Sequence, residues 1–326
     1  MIKRQLLGAL AATLAVALAG PAMAQDKSPI KILVGFPPGG AADNLARLLS
    51  EKLREPLKQQ VIVENRPGVG GRLAAEAIKN AAADGLSYLL APNATFVFQH
   101  LTYPVSVLRY DMTTDFQSVA QVTSYPMAMV VNASTGVKSA KDYVAWVKAN
   151  PEKSNFGVAG QGGDTHFNGL QFAKVAGIEM QVVPYRGNGP LTIDMVGGQI
   201  MTGIMVAGDA IQFIRSGKLN AVGIFSQKRS PLIPDVPTMP EQGFDTGGSN
   251  GWMGMWAPAK APKAETERMA AALKQVLEMP EVKEMLSSKF VQVADFRSGA
   301  DVDRQLRAEL AHWGPVIKAS GFTPQP

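Results

Sequence analysis

Two rhythms of apolar residues run along this chain. Short uninterrupted runs read as buried strands, and stripes at three- and four-residue spacing read as helices. Ile32-Leu33-Val34 is a run of the first kind, and Pro37-Pro38 prevents its continuation. Leu45, Leu48, Leu49 and Leu53 then recur at helical spacing, after Gly39-Gly40. Further strands are predicted over 61–65 and 87–91, with a helical stretch through Ala74, Ala77 and Ile78 between them. Strand–helix alternation at this spacing requires parallel pairing and a doubly wound sheet. The segment 100–116 lacks periodicity and reads as an irregular surface connection.

Val119 to Val122 and Met127 to Val131 read as strands separated by Ser124-Tyr125-Pro126, which marks a lobe boundary, and a new alternation follows. Ser139-Ala140-Lys141-Asp142 has the spacing of a helix cap. A strand over 155–159 opens into Gly160-Gln161-Gly162-Gly163-Asp164-Thr165-His166, and a helix carrying Phe167, Leu170 and Ala173 comes next. Strands are expected over 181–184, 200–206, 221–225 and 252–257, and helices over 263–278 and 300–318. The stretch 230–251, rich in proline and glycine, is a long crossing or a functional loop. The strand, Gly-Gly turn and helix occur near residue 39 and again near residue 162. Each turn leaves bare backbone at a helix N-terminus, where unpaired amides and the helix dipole favour an anion. Two such turns facing each other would form a carboxylate site.

Composition narrows the setting. Lys3 and Arg4 precede an apolar run over 6–19, and Ala22-Met23-Ala24 offers a cleavage site. Residues 1–24 therefore read as a secretory signal peptide and the mature chain as exported. The chain has no cysteine, so a packed core rather than disulfides must hold it. About 300 residues remain after cleavage, enough for two α/β lobes. The formal charge of +5 falls to +3 once Lys3 and Arg4 are removed. No basic tract with interleaved aromatics marks a nucleic-acid surface. The three histidines, His100, His166 and His312, are far apart, and no pair has metal-ligand spacing.

Ordered strings along the mature chain resemble the extracytoplasmic solute receptors of tripartite tricarboxylate transport, the Bug/TctC family. They are Phe36-Pro37-Pro38-Gly39-Gly40-Ala41-Ala42-Asp43 with Ala46-Arg47, Val63-Glu64-Asn65-Arg66-Pro67-Gly68-Val69-Gly70-Gly71, and Ala83-Asp84-Gly85. Asp115-Phe116, Gly160-Gln161-Gly162 with His166, Val183-Pro184-Tyr185-Arg186-Gly187 and Gly197-Gly198-Gln199 follow in order, then Pro234-Asp235-Val236-Pro237-Thr238 and Trp252-Met253-Gly254-Met255-Trp256-Ala257-Pro258. The resemblance implies an α/β, two-lobed periplasmic binding-protein fold of type II. Each lobe is then a doubly wound mixed sheet flanked by helices, with the ligand cleft between lobes. The lobes divide as 25–124 with 249–326, and 125–248. It implies a monomeric periplasmic receptor without cofactor, metal or catalysis. Such a receptor captures a small carboxylate for membrane components of a tripartite tricarboxylate transporter, or for a sensor kinase. Ala42, Gly163 and Met201 stand where the family usually carries Ser or Thr, a hydroxyl, and Asp. Two lost hydroxyls suggest altered preference. Phe36 and Met205 would add apolar surface, making an aromatic or medium-chain acid as credible as a short dicarboxylate.

The expected ligand set is Phe36, Pro38, Gly39, Gly40 and Ala41 in the first loop, Asn93 and Thr95 after the third strand, and Gly160, Gly162, Gly163, Thr165 and His166 in the second loop. Tyr185 and Arg186 complete the wall. For His166, loop packing is preferred to direct contact. Arg186 could grip a carboxylate bidentately or lie exposed, and Asn93 and Thr95 could serve turn chemistry instead. Asp43 and Asp164 fit a dipole role in first helical turns. A reading from another class is a secreted serine esterase. Gly247-Gly248-Ser249-Asn250-Gly251 matches a nucleophile elbow, with Asp301 or Asp303 and His312 downstream, but it lacks the preceding buried strand.

Overall fold

The computed structural model describes residues 28–248 and 250–324. Residues 1–24, the expected signal peptide, and Ser249 lie outside the described residues. The first sheet opens with β1 (Ile30–Val34), which pairs in parallel with β2 (Val61–Asn65) and β3 (Ser87–Pro92). β1 alternates between two cores: Ile30, Ile32 and Val34 enter one, and Leu33 the other. Helix α1 (Ala41–Leu57) follows β1 and buries Leu45, Leu48, Leu49 and Leu53, as the spacing predicts. Each such leucine contributes roughly 1.5–3 kcal/mol of burial. Helix α2 (Arg72–Lys79) links β2 to β3.

β3 ends directly in α3 (Asn93–Thr102), which the sequence reading passed over, and the short α4 (Val105–Leu108) follows; the remainder of 100–116 is bends and turns, as expected, up to the start of β4. The physical reason α3 was passed over is its burial. Phe96, Val97 and Phe98 are consecutive and all buried, which erases the amphipathic stripe. β4 (Phe116–Tyr125) completes the chain's first pass through this sheet.

Across Pro126 the chain enters the second sheet with β5 (Met127–Asn132). There Met127, Met129 and Val131 face one core while Ala128 and Val130 face another. Ser139 caps α5 (Ala140–Ala149), its hydroxyl accepting from the Asp142 amide at 3.1 Å. β6 (Asn155–Val158), α6 (Asp164–Ala176), β7 (Gln181–Pro184), α7 (Asn188–Val196), β8 (Thr202–Val206), α8 (Ala207–Arg215) and β9 (Leu219–Ile224) follow. The strand order is β7-β6-β8-β5-β9, with β6 parallel to β7 and β8, and β5 antiparallel to β8 and β9.

The chain returns to the first sheet as β10 (Gly251–Pro258), antiparallel between β3 and β4. Met253, Met255 and Ala257 enter one core, and Trp252 and Trp256 the other. Helices α9 (Lys263–Glu278) and α10 (Pro280–Met285), edge strand β11 (Val293–Ser298) and α11 (Gly299–Ala319) close the fold. The first sheet is ordered β11-β4-β10-β3-β1-β2.

The lobes also touch beyond these crossings. Phe167 of α6 is buried in the first lobe's core, stacked on Phe98 with ring centroids 6.0 Å apart and edge-on to Phe322 at 5.5 Å. Backbone also approaches backbone where the first two βα turns meet. A Cβ at Gly35 would lie 2.4 Å from the Gly71 Cα, and neither main chain can yield as a side chain could. Gly35→Ala is expected to lower stability by about 1–3 kcal/mol, the range for overpacking, read as a lower denaturant midpoint at unchanged m-value.

Candidate functional site

Both glycine turns are built alike. Gly39 (φ +83°) and Gly162 (φ +77°) adopt left-handed backbone, which glycine tolerates without strain. Each donates its N–H to the side chain four residues on: Gly39 to Asp43 Oδ2 at 2.9 Å, Gly162 to His166 Nδ1 at 3.1 Å. The following residues, Gly40 and Gly163, are the N-caps of α1 and α6, and neither has a side-chain cap. The first amides of both helices therefore lack intrahelical acceptors.

Asp43 also accepts from Asn65 Nδ2 at 2.8 Å and from Arg47 Nε at 2.9 Å. Burial alone raises its pKa, but the bonds from Arg47, Gly39 and Asn65 outweigh burial and hold the carboxyl below its ordinary value. His166 is 3% exposed and stacks on Phe167, and burial lowers its pKa to about 4. It is therefore neutral at physiological pH and able to accept at Nδ1. Asp164, in the first turn of α6, keeps some contact with the cleft, yet the protein around it and nearby Glu309 push its carboxyl up to about 6.

These two groups act oppositely on stability. Between about 6.5 and about 4 the unfolded chain protonates its histidine while native His166 stays neutral, so stability is lost as pH falls. Native Asp164 holds its proton up to about 6 against 3.8 unfolded, so its contribution is lost as pH rises through that window. Asp164→Asn removes the opposing contribution. The melting temperature is expected to fall more steeply from pH 6.5 to 4 in this variant than in wild type, and thermal melts across that range check it.

A cavity of about 930 Å³ lies between the lobes. Of the residues expected from sequence, Phe36, Gly40, Ala41, Thr95, Gly160, Gly162, Gly163 and Thr165 line it. Pro38, Gly39, Asn93, His166, Tyr185 and Arg186 lie outside the lining, and most have other engagements. The Gly39 amide and His166 Nδ1 are used in the turn locks. Asn93 donates to Glu309 Oε2 at 3.0 Å, and Tyr185 donates its hydroxyl to Asp194 at 3.0 Å. Arg186 is exposed off the cavity wall, and Met205 is fully buried in the second lobe's core.

The lining also contains residues that the sequence reading passed over. Arg72, at the start of α2, is the one arginine or lysine on the wall among the described residues, its guanidinium 4.4 Å from the Tyr103 ring centroid. Asp209, in the first turn of α8, accepts from Asn188 Nδ2 at 2.5 Å. Burial raises the Asp209 pKa, an effect that the Asn188 bond opposes. Tyr125 and Gln292 line the cavity between the two lobes. The signal for Arg72 and Asp209 was their position, since both follow the C-terminal end of a strand, where open α/β sheets bind ligands.

A second cavity, about 560 Å³, is lined by Gln121, Trp252, Asp295, Glu309 and His312 among others. Its acids are already engaged, Asp295 with Gln121 and Arg297, and Glu309 with Asn93, Trp252 and Gln305. Of the esterase candidates, Asp301 does not pair with His312. Asp301 bonds Ser298 at the start of α11, roughly 16 Å along the axis from His312 at 1.5 Å per residue. The buried strand β10 follows the motif rather than preceding it. The described residues contain no group of three or more potential metal ligands and no helix long and apolar enough to cross a membrane.

Comparison with known proteins places this geometry. BugT of Bordetella pertussis is 31% identical over 97% of this chain and 96% of its own. A Rhodopseudomonas palustris protein solved with adipate superposes with a TM-score of 0.82 at 26% identity, covering 92% of this chain and 99% of that one. MatC of the same organism, solved with bound malate, gives 0.77 at 26% identity over 89% of this chain and 99% of its own. The family described as tripartite tricarboxylate transporter family receptor, TctC, matches residues 45–322. Two mixed sheets flanked by helices, the cleft between them and this match across most of the sequence place the chain in the TctC family of solute-binding receptors.

Proposed function

We propose that this protein is a periplasmic receptor that captures a small organic acid between its two lobes. The observation that carries the reading is the uncapped N-terminus of α1 opening onto the cavity alongside Arg72. Unpaired amides, the positive end of a helix dipole and a guanidinium together suit a carboxylate. The turn from Gly160 to Thr165 closes over the ligand from the other lobe, and hinge closure about the two crossings traps it. Ligand shifts the lobes toward closure only by its differential affinity for that form.

The volume of about 930 Å³ is at the upper end for small-molecule sites and accommodates a medium-chain or aromatic acid as well as a short one. The malate- and adipate-bound relatives support a carboxylate cargo. Export through residues 1–24 and delivery by the monomer to transporter membrane components or to a sensor kinase complete the reading. Thermal-shift screening of the purified protein against mono- and dicarboxylic acids tests it, with calorimetry on the hits. At least one acid is expected to raise the melting temperature by several degrees. Failure of every acid, together with a non-acidic molecule recovered by mass spectrometry from natively purified protein, overturns it.

A further inference from the structure

The two walls of the cleft present side chains of opposite charge. On the first lobe the wall presents Arg72 and the N-terminus of α1, while Asp43 stands out of the lining with both oxygens engaged. On the second lobe the wall presents Asp164 and Asp209. The Thr165 amide, one of the donors that would otherwise welcome an anion at α6, is already bonded to Asp164 Oδ1 at 2.8 Å.

The acceptors on that wall are underused. Asn188 gives its Nδ2 to Asp209, which fixes the amide orientation, and its Oδ1 is buried with no partner among the described residues. Tyr125, the last residue of β4, lines the cavity between the two walls within the fields of Asp164 and Asp209, and its hydroxyl can serve either end of a ligand. Two carboxylates and an amide oxygen call for a donor, and a second ligand carboxylate placed here would meet like charge. Between the charged walls lie Ile193, Phe213 and Met253, an apolar surface suited to methylene groups.

We infer that the cargo is a zwitterion: a carboxylate held by Arg72 and the α1 N-terminus, joined by a short methylene chain to a protonated amine held by Asp209 and the Asn188 oxygen. The inference rests on the carboxylate reading above. On this inference closure requires the whole ligand, because each lobe recognises one end.

Calorimetry with matched pairs tests it. γ-Aminobutyrate, 5-aminopentanoate and 6-aminohexanoate are compared with succinate, glutarate and adipate at neutral pH, with hexylamine as the probe lacking a carboxylate. At least one amino acid is expected to bind 10-fold or more tightly than its matched diacid, and Asp209→Asn to abolish that preference. The wild-type comparison decides the matter even if the variant does not fold. If no amino acid exceeds its diacid, the inference is overturned and the carboxylate reading survives. Hexylamine binding as tightly as 6-aminohexanoate overturns the carboxylate reading itself.

Discussion

Arg72→Ala is expected to weaken carboxylate binding by roughly 10- to 150-fold. A charge-assisted hydrogen bond contributes about 1.5–3 kcal/mol, and each 1.4 kcal/mol is a factor of ten. No other arginine or lysine lines the wall among the described residues, so nothing nearby restores the charge. The contact with the Tyr103 ring at 4.4 Å is a cation–π pair of about 0.5–1 kcal/mol, so a melt of the free variant run alongside separates lost stability from lost affinity. Arg72→Lys keeps the charge but not the planar fork, and should fall between. Titration calorimetry of both variants against any acid that stabilises the wild type reads this out, and unchanged affinity in Arg72→Ala would remove Arg72 from the site.

Glu309→Ala is expected to give the largest loss of stability. This carboxylate, 9% exposed, accepts from Asn93 Nδ2 at 3.0 Å, Trp252 Nε1 at 2.7 Å and Gln305 Nε2 at 3.0 Å. It thus ties α11 to α3 and β10. Burial raises its pKa, and the three donors oppose that rise. Without it the indole N–H and the Asn93 amide remain buried and unpaired, at about 1–3 kcal/mol each. A loss of about 3 kcal/mol is expected, or roughly 6–12 °C in melting temperature at 2–4 °C per kcal/mol. Glu309→Gln keeps the volume and one acceptor oxygen and should lose about a third as much. A melting temperature for Glu309→Ala within a degree of wild type would mean that the three donors find other partners.

Much of the fold was legible because each strand's alternation serves two cores. Trp252 through Ala257 reads as a strand because tryptophans face one core and methionines the other. The cap at Ser139 was equally plain. α3 was hidden because an all-round buried helix has no stripe. β11 was hidden because it is a half-buried edge strand whose register against β4 shifts between Ala294 and Arg297. At the cleft, the glycine turns were visible but the use of their amides was not. Gly39 and Gly162 spend their N–H groups on Asp43 and His166, and only coordinates separate an amide facing a ligand from one facing its own helix. Arg72 and Arg186 both follow a strand and a glycine turn or lie within one. Position after a strand marks both alike, so the sequence does not say which of the two turns faces the cavity.

The insertion of Phe167 into the first lobe's core bears on time as well as on affinity. Drawing α6 away from the first lobe strips the Phe98 and Phe322 rings from their partner and wets apolar surface that this packing keeps dry. That cost falls on dissociation, the step in which related complexes differ most. Cargo residence should therefore carry the heat-capacity signature of hydrophobic exposure. Trimming Phe167 should shorten it even though that side chain lies outside the ligand cavity.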